Sequence, residues 1–420
     1  MGVEHTEVAV IGGGQAGLAM SYYLTEQRRP HVVLEQGRIA ESWHSRRWDS
    51  LRLIAPNWSL RLPGLTYQGD DPDGFMGKDE VAARLTAHAR SFGAPVRESV
   101  RVTSVEREPE GSGFLLQTRD TAYRADKVVV ATGALQQPRI PACAARLPAD
   151  VAQIVPPSYR NPMTLPPGAV LVVGSGQTGC QIAEELQRAG RQVYLAVSRS
   201  WWLPRRYRGQ DAAAWVRVLG LFEQTVDSLP PGARTGRPSP QLTGGNGGHD
   251  ISVRTLAREG VVLLGRLQDI RDGRALFAPD LCANLAWGDE QALNLLRAVD
   301  DLIQEQGLEA PAENPPGDLE PIDKLAGAAA PELDLVEAGI SAVIWATGYR
   351  PDLDWVRLPV LEADGWPRQR RGVTEVPGFF ILGLDWLHTA KSGLFAGVGD
   401  DAAFLASAIA AEYATKSKPV

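Results

Sequence analysis

Two glycine-rich runs carry the pattern in this chain that could do chemistry. The first, in VAVIGGGQAGL, spaces Gly12, Gly14 and Gly17 between a short apolar strand and a helical pattern, with Gln15 and Ala16 between the last two glycines. The second, in VLVVGSGQTGC, repeats that spacing with Gly174, Gly176 and Gly179, and sets Gln177 and Thr178 in the matching places. Between a strand and a helix, such glycines let the backbone approach a pyrophosphate, while the free amides and dipole of the helix N-terminus favour the anion. One run alone is weak evidence. Two, each leading to a further strand, argue for two dinucleotide sites.

The next strand after each run tells the two sites apart. The strand HVVLEQ ends in Glu35 and Gln36, where a carboxylate accepts hydrogen bonds from an adenosine ribose. The strand RQVYLAVSRS ends instead in Ser198 and Arg199, with Arg205 close behind. A guanidinium in the ribose-reading place suits a 2′-phosphate, so this site is expected to take NADPH rather than NADH; the alternative is a solvated basic face. The duplication goes further. Ala131-Thr132-Gly133 and Ala346-Thr347-Gly348 end two apolar strands, each glycine placed to turn the chain near a bound nucleotide, with a plain tight strand exit as the alternative.

The rest of the chain bounds these readings. Its 420 residues suffice for two or three domains, and 44% hydrophobic with 22% charged residues is a soluble globular composition. A formal charge of −7 with scattered arginines argues against a nucleic-acid partner. No apolar run reaches membrane-spanning length and the start lacks the regions of a signal peptide, which predicts a cytoplasmic protein without a membrane partner. The first six residues fit the loose M-G-x-x-x-[ST] myristoylation pattern, but a strand beginning near Glu7 leaves no tether, and we read the match as chance. Cys143, Cys180 and Cys282 form no C-x-x-C pair, which excludes a local redox dithiol and a zinc ribbon; no cluster has metal-ligand spacing.

With both runs in place the sequence resembles the bacterial branch of the flavin-containing monooxygenases. The resemblance covers most of the chain and rests on VAVIGGGQAGL, ESWHSRRWDSLRLIAPNWSLRLPG, VVVATG, SYRNP followed by VLVVGSGQTG, and WATGYRPD. It implies an α/β fold of two Rossmann-like dinucleotide-binding domains, an FAD domain carrying an inserted NADPH domain. The expected limits are 1–160 and the returning 331–420 for FAD, and 161–330 for NADPH. The closing helix, beginning near Gly397, would point its positive end at the flavin. Ser42, Trp43 and Trp48 would lie along the isoalloxazine, and Val102, Tyr159 and Asp385 join the cofactor-binding set. Asn57 would face the reactive side of the flavin, with turn chemistry in APNW as its alternative. His388, in DWLHTAKSG, is the second catalytic candidate, as an acid/base or flavin hydrogen-bond donor, with a structural role as the alternative.

The implied activity is a monooxygenase. NADPH reduces FAD, reduced FAD adds O2 to form a hydroperoxide, and a small organic substrate takes one oxygen atom by N-hydroxylation, S-oxidation or Baeyer–Villiger insertion. The competing readings are an oxidase or dehydrogenase without oxygen transfer, and a redox sensor that holds FAD without turnover. A homodimer is the candidate assembly. The family's linker motif, F-x-G-x-x-x-H-x-x-x-Y, keeps here only its tyrosine, as Tyr159; Ala149, Val151 and Val155 stand at the other positions. This departure puts efficient coupling of NADPH to oxygen transfer in doubt, and Pro156-Pro157 would stiffen the linker. Residues 200–330, with two long turn-rich loops around a helical pattern at Leu281–Gly307, are assigned to the substrate side, with disorder as the alternative.

Overall fold

The computed structural model describes residues 3–108, 113–229, 239–312 and 330–416. Gly2 of the myristoylation pattern, and parts of both long loops, lie outside these residues.

Two mostly parallel sheets organise the chain. In the first, Val3–Ile11 lies between His31–Leu34 and Ala122–Val130, parallel to both; Phe379–Ile381 from the end of the chain adds to Ala122–Val130, again parallel. In the second, the order is Ala152–Ile154, Ile340–Trp345, Ala169–Val173, Val193–Ala196, Val262–Leu264, every pair parallel. These strands read as nearly unbroken apolar runs because both faces are covered, one by helices and the other by antiparallel strands and loops: Val8, Ala9 and Val10, like Val170, Leu171 and Val172, are fully buried. On the first sheet the helices Gln15–Glu26 and Val398–Lys416 pack against each other, sharing a core of Leu18, Met20, Phe380, Val398, Leu405 and Ile409. The expected two-unit α/β architecture is present, and the end of the chain returns to the first sheet.

The strands of the second sheet run from Ala152 to Trp345, so they straddle both expected junctions. Ala152–Ile154 falls before 160 yet pairs with Ile340–Trp345, which falls after 330. Strand pairing across sequence-distant segments decided this, and no local composition shift marks it.

Register places the functional turns. Ile11 pairs with both Leu34 and Val130, so Gly12, Glu35 and Ala131 leave the sheet side by side. Val173 likewise pairs with Ala196 and Trp345, bringing Gly174 and Ala346 together. Ligands in such sheets bind beyond the carboxyl ends of the strands.

The inserted segment folds back over the first unit. Arg205 donates to the carbonyl of Ile54 at 2.7 Å, Val226 N–H to His388 at 2.8 Å, and Ala390 N–H to Gln224 at 3.0 Å. Lys391 pairs with Glu223 at 2.7 Å and Asp400 at 2.9 Å. The helix Leu281–Gln306 ends where Gly307 adopts φ 59°, a left-handed cap that glycine reaches without strain.

Candidate active site

Each glycine of a fingerprint has its own reason. A Cβ on Gly12 would lie 2.6 Å from the carbonyl oxygen of Ala131, and one on Gly174 would lie 2.4 Å from that of Ala346, at φ +112° and +106°. Gly17 and Gly179 press their helices against the preceding turn, leaving 1.8 Å from a Cβ to the oxygens of Gly12 and Gly174. Gly14 and Gly176 differ: a Cβ on either would meet no protein atom within 4 Å. These two open onto one cavity of about 2280 Å³, lined by both turns and by both Ala-Thr-Gly exits. A cleft for a single small ligand is roughly 300–1,000 Å³, so this one has room for two nucleotides. Two close-packed glycines per turn and one facing open space form the cradle a pyrophosphate needs, and the residues fit a dinucleotide at each turn.

Around the first turn, Glu35 is 7% exposed and lines the cavity. Its carboxylate accepts from the backbone N–H of Gly13 at 2.6 Å and of Gly37 at 2.8 Å, one bond to each oxygen. Each oxygen keeps a lone pair for a ribose hydroxyl. Burial is the largest influence on this carboxyl and raises its pKa, with the backbone bonds opposing. Gln15 donates to the carbonyl of Gly393 at 2.7 Å, tying the turn to the returning segment. Ala16, Gln36, Ser42, Trp43, Val102, Ala131, Thr132, Gly133 and Asp385 also line the cavity. Trp43 stacks on Phe395 at 5.9 Å. Asp385 opens onto the cavity interior, where the surrounding protein raises its pKa by desolvation.

Around the second turn, Ser198 N–H donates to Ser175 Oγ at 3.1 Å, fixing the bend that presents Arg199. Arg199 is exposed and makes no ion pair among the described residues; with Ser198, Arg266 and Trp287 it lines a side pocket of about 760 Å³ next to the main cavity. Ala346, Thr347 and Gly348 line the main cavity.

Several expected residues do other work. Asn57 is 4% exposed and does not line the cavity: its Oδ1 accepts from Met76 N–H at 2.8 Å and its Nδ2 donates to Asp71 at 2.9 Å, so it holds a turn. His388 also stays off the cavity wall; its backbone is held between Val226 and the Ser392 hydroxyl. Trp48 and Tyr159 are buried in the core of the second unit, the tyrosine hydroxyl donating to Glu185 at 2.7 Å. Arg205 is 2% exposed and ion-paired with Asp211, so it is not free to read a 2′-phosphate. Gly17, Gln177, Thr178 and Gly179 do not line the cavity. The closing helix begins at Val398, but Asp400 and Asp401 already occupy its first turn.

The structure adds residues the sequence reading missed. Arg46, Arg47 and Trp58 line the cavity. So do Trp287, Gln291, Asn294, Leu295 and Ala298, one face of the helix Leu281–Gln306 at three- and four-residue spacing. A tryptophan and two amides interrupting an apolar helical stripe were the available signal.

The model of the family described as pyridine nucleotide-disulphide oxidoreductase matches residues 9–219, which is half of the chain. The chain belongs to that family. An uncharacterized CzcO-like oxidoreductase of Geobacillus kaustophilus is 33% identical over 403 residues, covering 95% of this chain and 97% of its own. The flavin-containing monooxygenase of Stenotrophomonas maltophilia shares the fold at TM-score 0.66 and 20% identity, over 98% of this chain and 99% of its own. So does the bacillithiol disulfide reductase of Bacillus cereus, at TM-score 0.62 and 17% identity, over 97% and 100%. This protein is therefore an oxidoreductase with the flavin-monooxygenase architecture, the resemblance read from its sequence, and FAD and NADP are the cofactors of that fold. The fold alone serves both oxygen transfer and disulfide reduction. Cys143 and Cys180 are buried, Cys282 is on the surface, and none of the three lines the cavity. No helix among the described residues is long and apolar enough to cross a membrane, and no His/Cys/Asp/Glu group there could hold a metal ion.

Proposed function

We propose that the protein is an NADPH- and FAD-dependent monooxygenase that transfers one oxygen atom from O2 to a small organic substrate. The observation that carries this reading is that both glycine turns and both Ala-Thr-Gly exits open into one cavity. FAD would lie on the first unit, with its pyrophosphate at Gly12, Gly14 and Gln15, its ribose at Glu35, and its ring beside Ser42 and Trp43. NADPH would lie on the second, at Gly174 and Gly176, with its 2′-phosphate at Ser198 and Arg199. Bound FAD supplies two-electron redox chemistry and the activation of dioxygen.

The chain's own part is to hold the nucleotides face to face and keep water from the reacting atoms. Leu53, Ile54, Trp58, Leu221, Phe222 and Leu295 give the shared cavity the apolar wall this needs. The linker supports one alternative, an oxidase that releases peroxide. Val155 packs partly buried on an apolar cluster and brings no ionisable group to the junction. The test is turnover of the FAD-loaded protein with NADPH and a panel of amines, sulfides and ketones under labelled dioxygen. Label in an organic product supports the monooxygenase. Peroxide matching NADPH oxidation with every substrate would replace it by the oxidase.

A further inference from the structure

Among the described residues, the two most deeply buried arginines each have a carboxylate partner. Arg205, 2% exposed, pairs with Asp211, and Arg254, 3% exposed, pairs with Asp289. Taking a guanidinium out of water is costly, and a facing carboxylate offsets the cost. Arg47 breaks this pattern. It is half-buried on the wall of the main cavity, and its one hydrogen bond goes to the carbonyl of its neighbour Arg46 at 3.2 Å. Its guanidinium lies 5.3 Å from the ring centre of Trp43, a neutral neighbour. Burial, the largest influence, pushes its pKa below the ordinary guanidinium range; the Tyr349 hydroxyl opposes this and the like charge of Arg46 adds to it.

Arg46 does not relieve the charge. It too lines the cavity, and it donates to the carbonyl of Gln136 at 3.2 Å, not to a carboxylate. Three acids on the wall are engaged with other cations, Glu41 with Arg38, Glu223 with Lys391 and Asp354 with Arg350; Asp352 and Asp385 also line it, and among the described residues neither forms an ion pair with Arg46 or Arg47. Among the described residues neither of these two adjacent cations has a carboxylate partner; carbonyls, the Trp43 ring and the nearby Tyr349 phenol are what they face on the cavity wall. A guanidinium's planar fork matches the two oxygens of a carboxylate or a phosphate.

We propose that Arg47, assisted by Arg46, receives an anionic oxygen group of a ligand bound in this cavity. Two sources could carry that group, a carboxylate of the substrate or the pyrophosphate of a bound nucleotide. The wall favours the first. Each glycine turn already offers a pyrophosphate its own amide donors, whereas Trp43 beside Arg47 offers an apolar surface to an organic acid. Naming these two sources rests on the proposed function; the anion site itself does not.

The test uses the full chain and reads tryptophan fluorescence, to which Trp43 contributes, so it does not require turnover. Wild type, Arg47→Met and Arg47→Lys are titrated with phenylacetate, its methyl ester, inorganic pyrophosphate and NADP. Preference for the acid over the ester, lost by about ten-fold or more in Arg47→Met and partly kept in Arg47→Lys, supports a carboxylate site. The same loss for pyrophosphate and NADP, with no acid preference, supports the site and assigns it to the nucleotide. If no anion binds in a way that depends on Arg47, the proposal is overturned. The acid-against-ester comparison in wild type stands even if Arg47→Met does not fold. Absence of NADPH oxidation in wild type would remove the monooxygenase reading and leave this one intact.

Discussion

The backbone N–H of Arg139 donates to the carbonyl of Gly348 at 2.9 Å, joining the exits of the two Ala-Thr-Gly strands. Around that bond, Gln137–Pro138 and Tyr349–Arg350 form a short antiparallel ladder. The two nucleotide turns are thus linked through backbone as well as through the cavity they share. Local motifs in each half could not reveal this, because it depends on how the halves meet.

The fingerprint glycines separate folding from binding. Gly17→Ala should destabilise severely, since its Cβ would sit 1.8 Å from the Gly12 oxygen. Gly14→Ala has no protein atom to strike, so its melting temperature should stay near wild type while FAD affinity falls on the order of ten-fold, as when a charge-assisted contact is lost. Thermal melts and retained flavin absorbance check both; a Gly14→Ala protein that keeps full FAD affinity would move the pyrophosphate elsewhere.

The two arginines of the second strand exit should also behave differently. Arg199→Ala should weaken NADPH relative to NADH by about ten-fold with no loss of stability, since Arg199 is exposed and faces the side pocket. Arg205→Ala should cost roughly 3–5 kcal/mol, because Asp211 would keep a charge with its partner gone. Denaturant melts beside cofactor titrations read both effects, and equal loss of NADPH and NADH in Arg199→Ala would end the 2′-phosphate assignment.

Asn57→Ala is expected to act on stability alone. Removing it leaves Met76 N–H without its acceptor, at a cost of about 1–3 kcal/mol. The rate per folded molecule, measured by NADPH oxidation, should not change; a selective fall in that rate would restore Asn57 to the chemistry.

One ion pair should make stability depend on pH. His249 bonds to Glu184 at 2.5 Å, and that hydrogen bond is the largest influence raising its pKa above the ordinary value. A raised folded pKa stabilises fully below the unfolded value of about 6.5 and loses that contribution as pH climbs through the folded value. The gap in stability between wild type and His249→Gln should therefore be larger in mildly acidic than in alkaline buffer. A gap independent of pH would mean that the pair does not titrate as a charge.

The parts of the fold legible in the sequence were those set within one strand, turn and helix. The glycine turns, Glu35, Arg199 and the Ala-Thr-Gly exits declare themselves through local spacing, and all open onto the cavity or its side pocket. Asn57, Trp48, Tyr159, Arg205 and His388 lie off the cavity wall because contacts outside their own motifs place them: Asn57 bonds Met76 in a turn and the His388 backbone is held by Val226, the alternatives the sequence left open, while Tyr159 bonds Glu185, Arg205 pairs with Asp211 and Trp48 packs in the core. Arg47 stands out for the converse reason. What matters there is a missing carboxylate, which only the assembled cavity reveals.

The most direct measurement is anaerobic mixing of the FAD-loaded protein with NADPH, following the flavin absorbance near about 450 nm. If the two nucleotides meet in this cavity as proposed, hydride passes from one to the other, so the band should bleach, and faster with NADPH than with NADH. A band unchanged by either nucleotide, in protein that binds both, would contradict the meeting of the two sites.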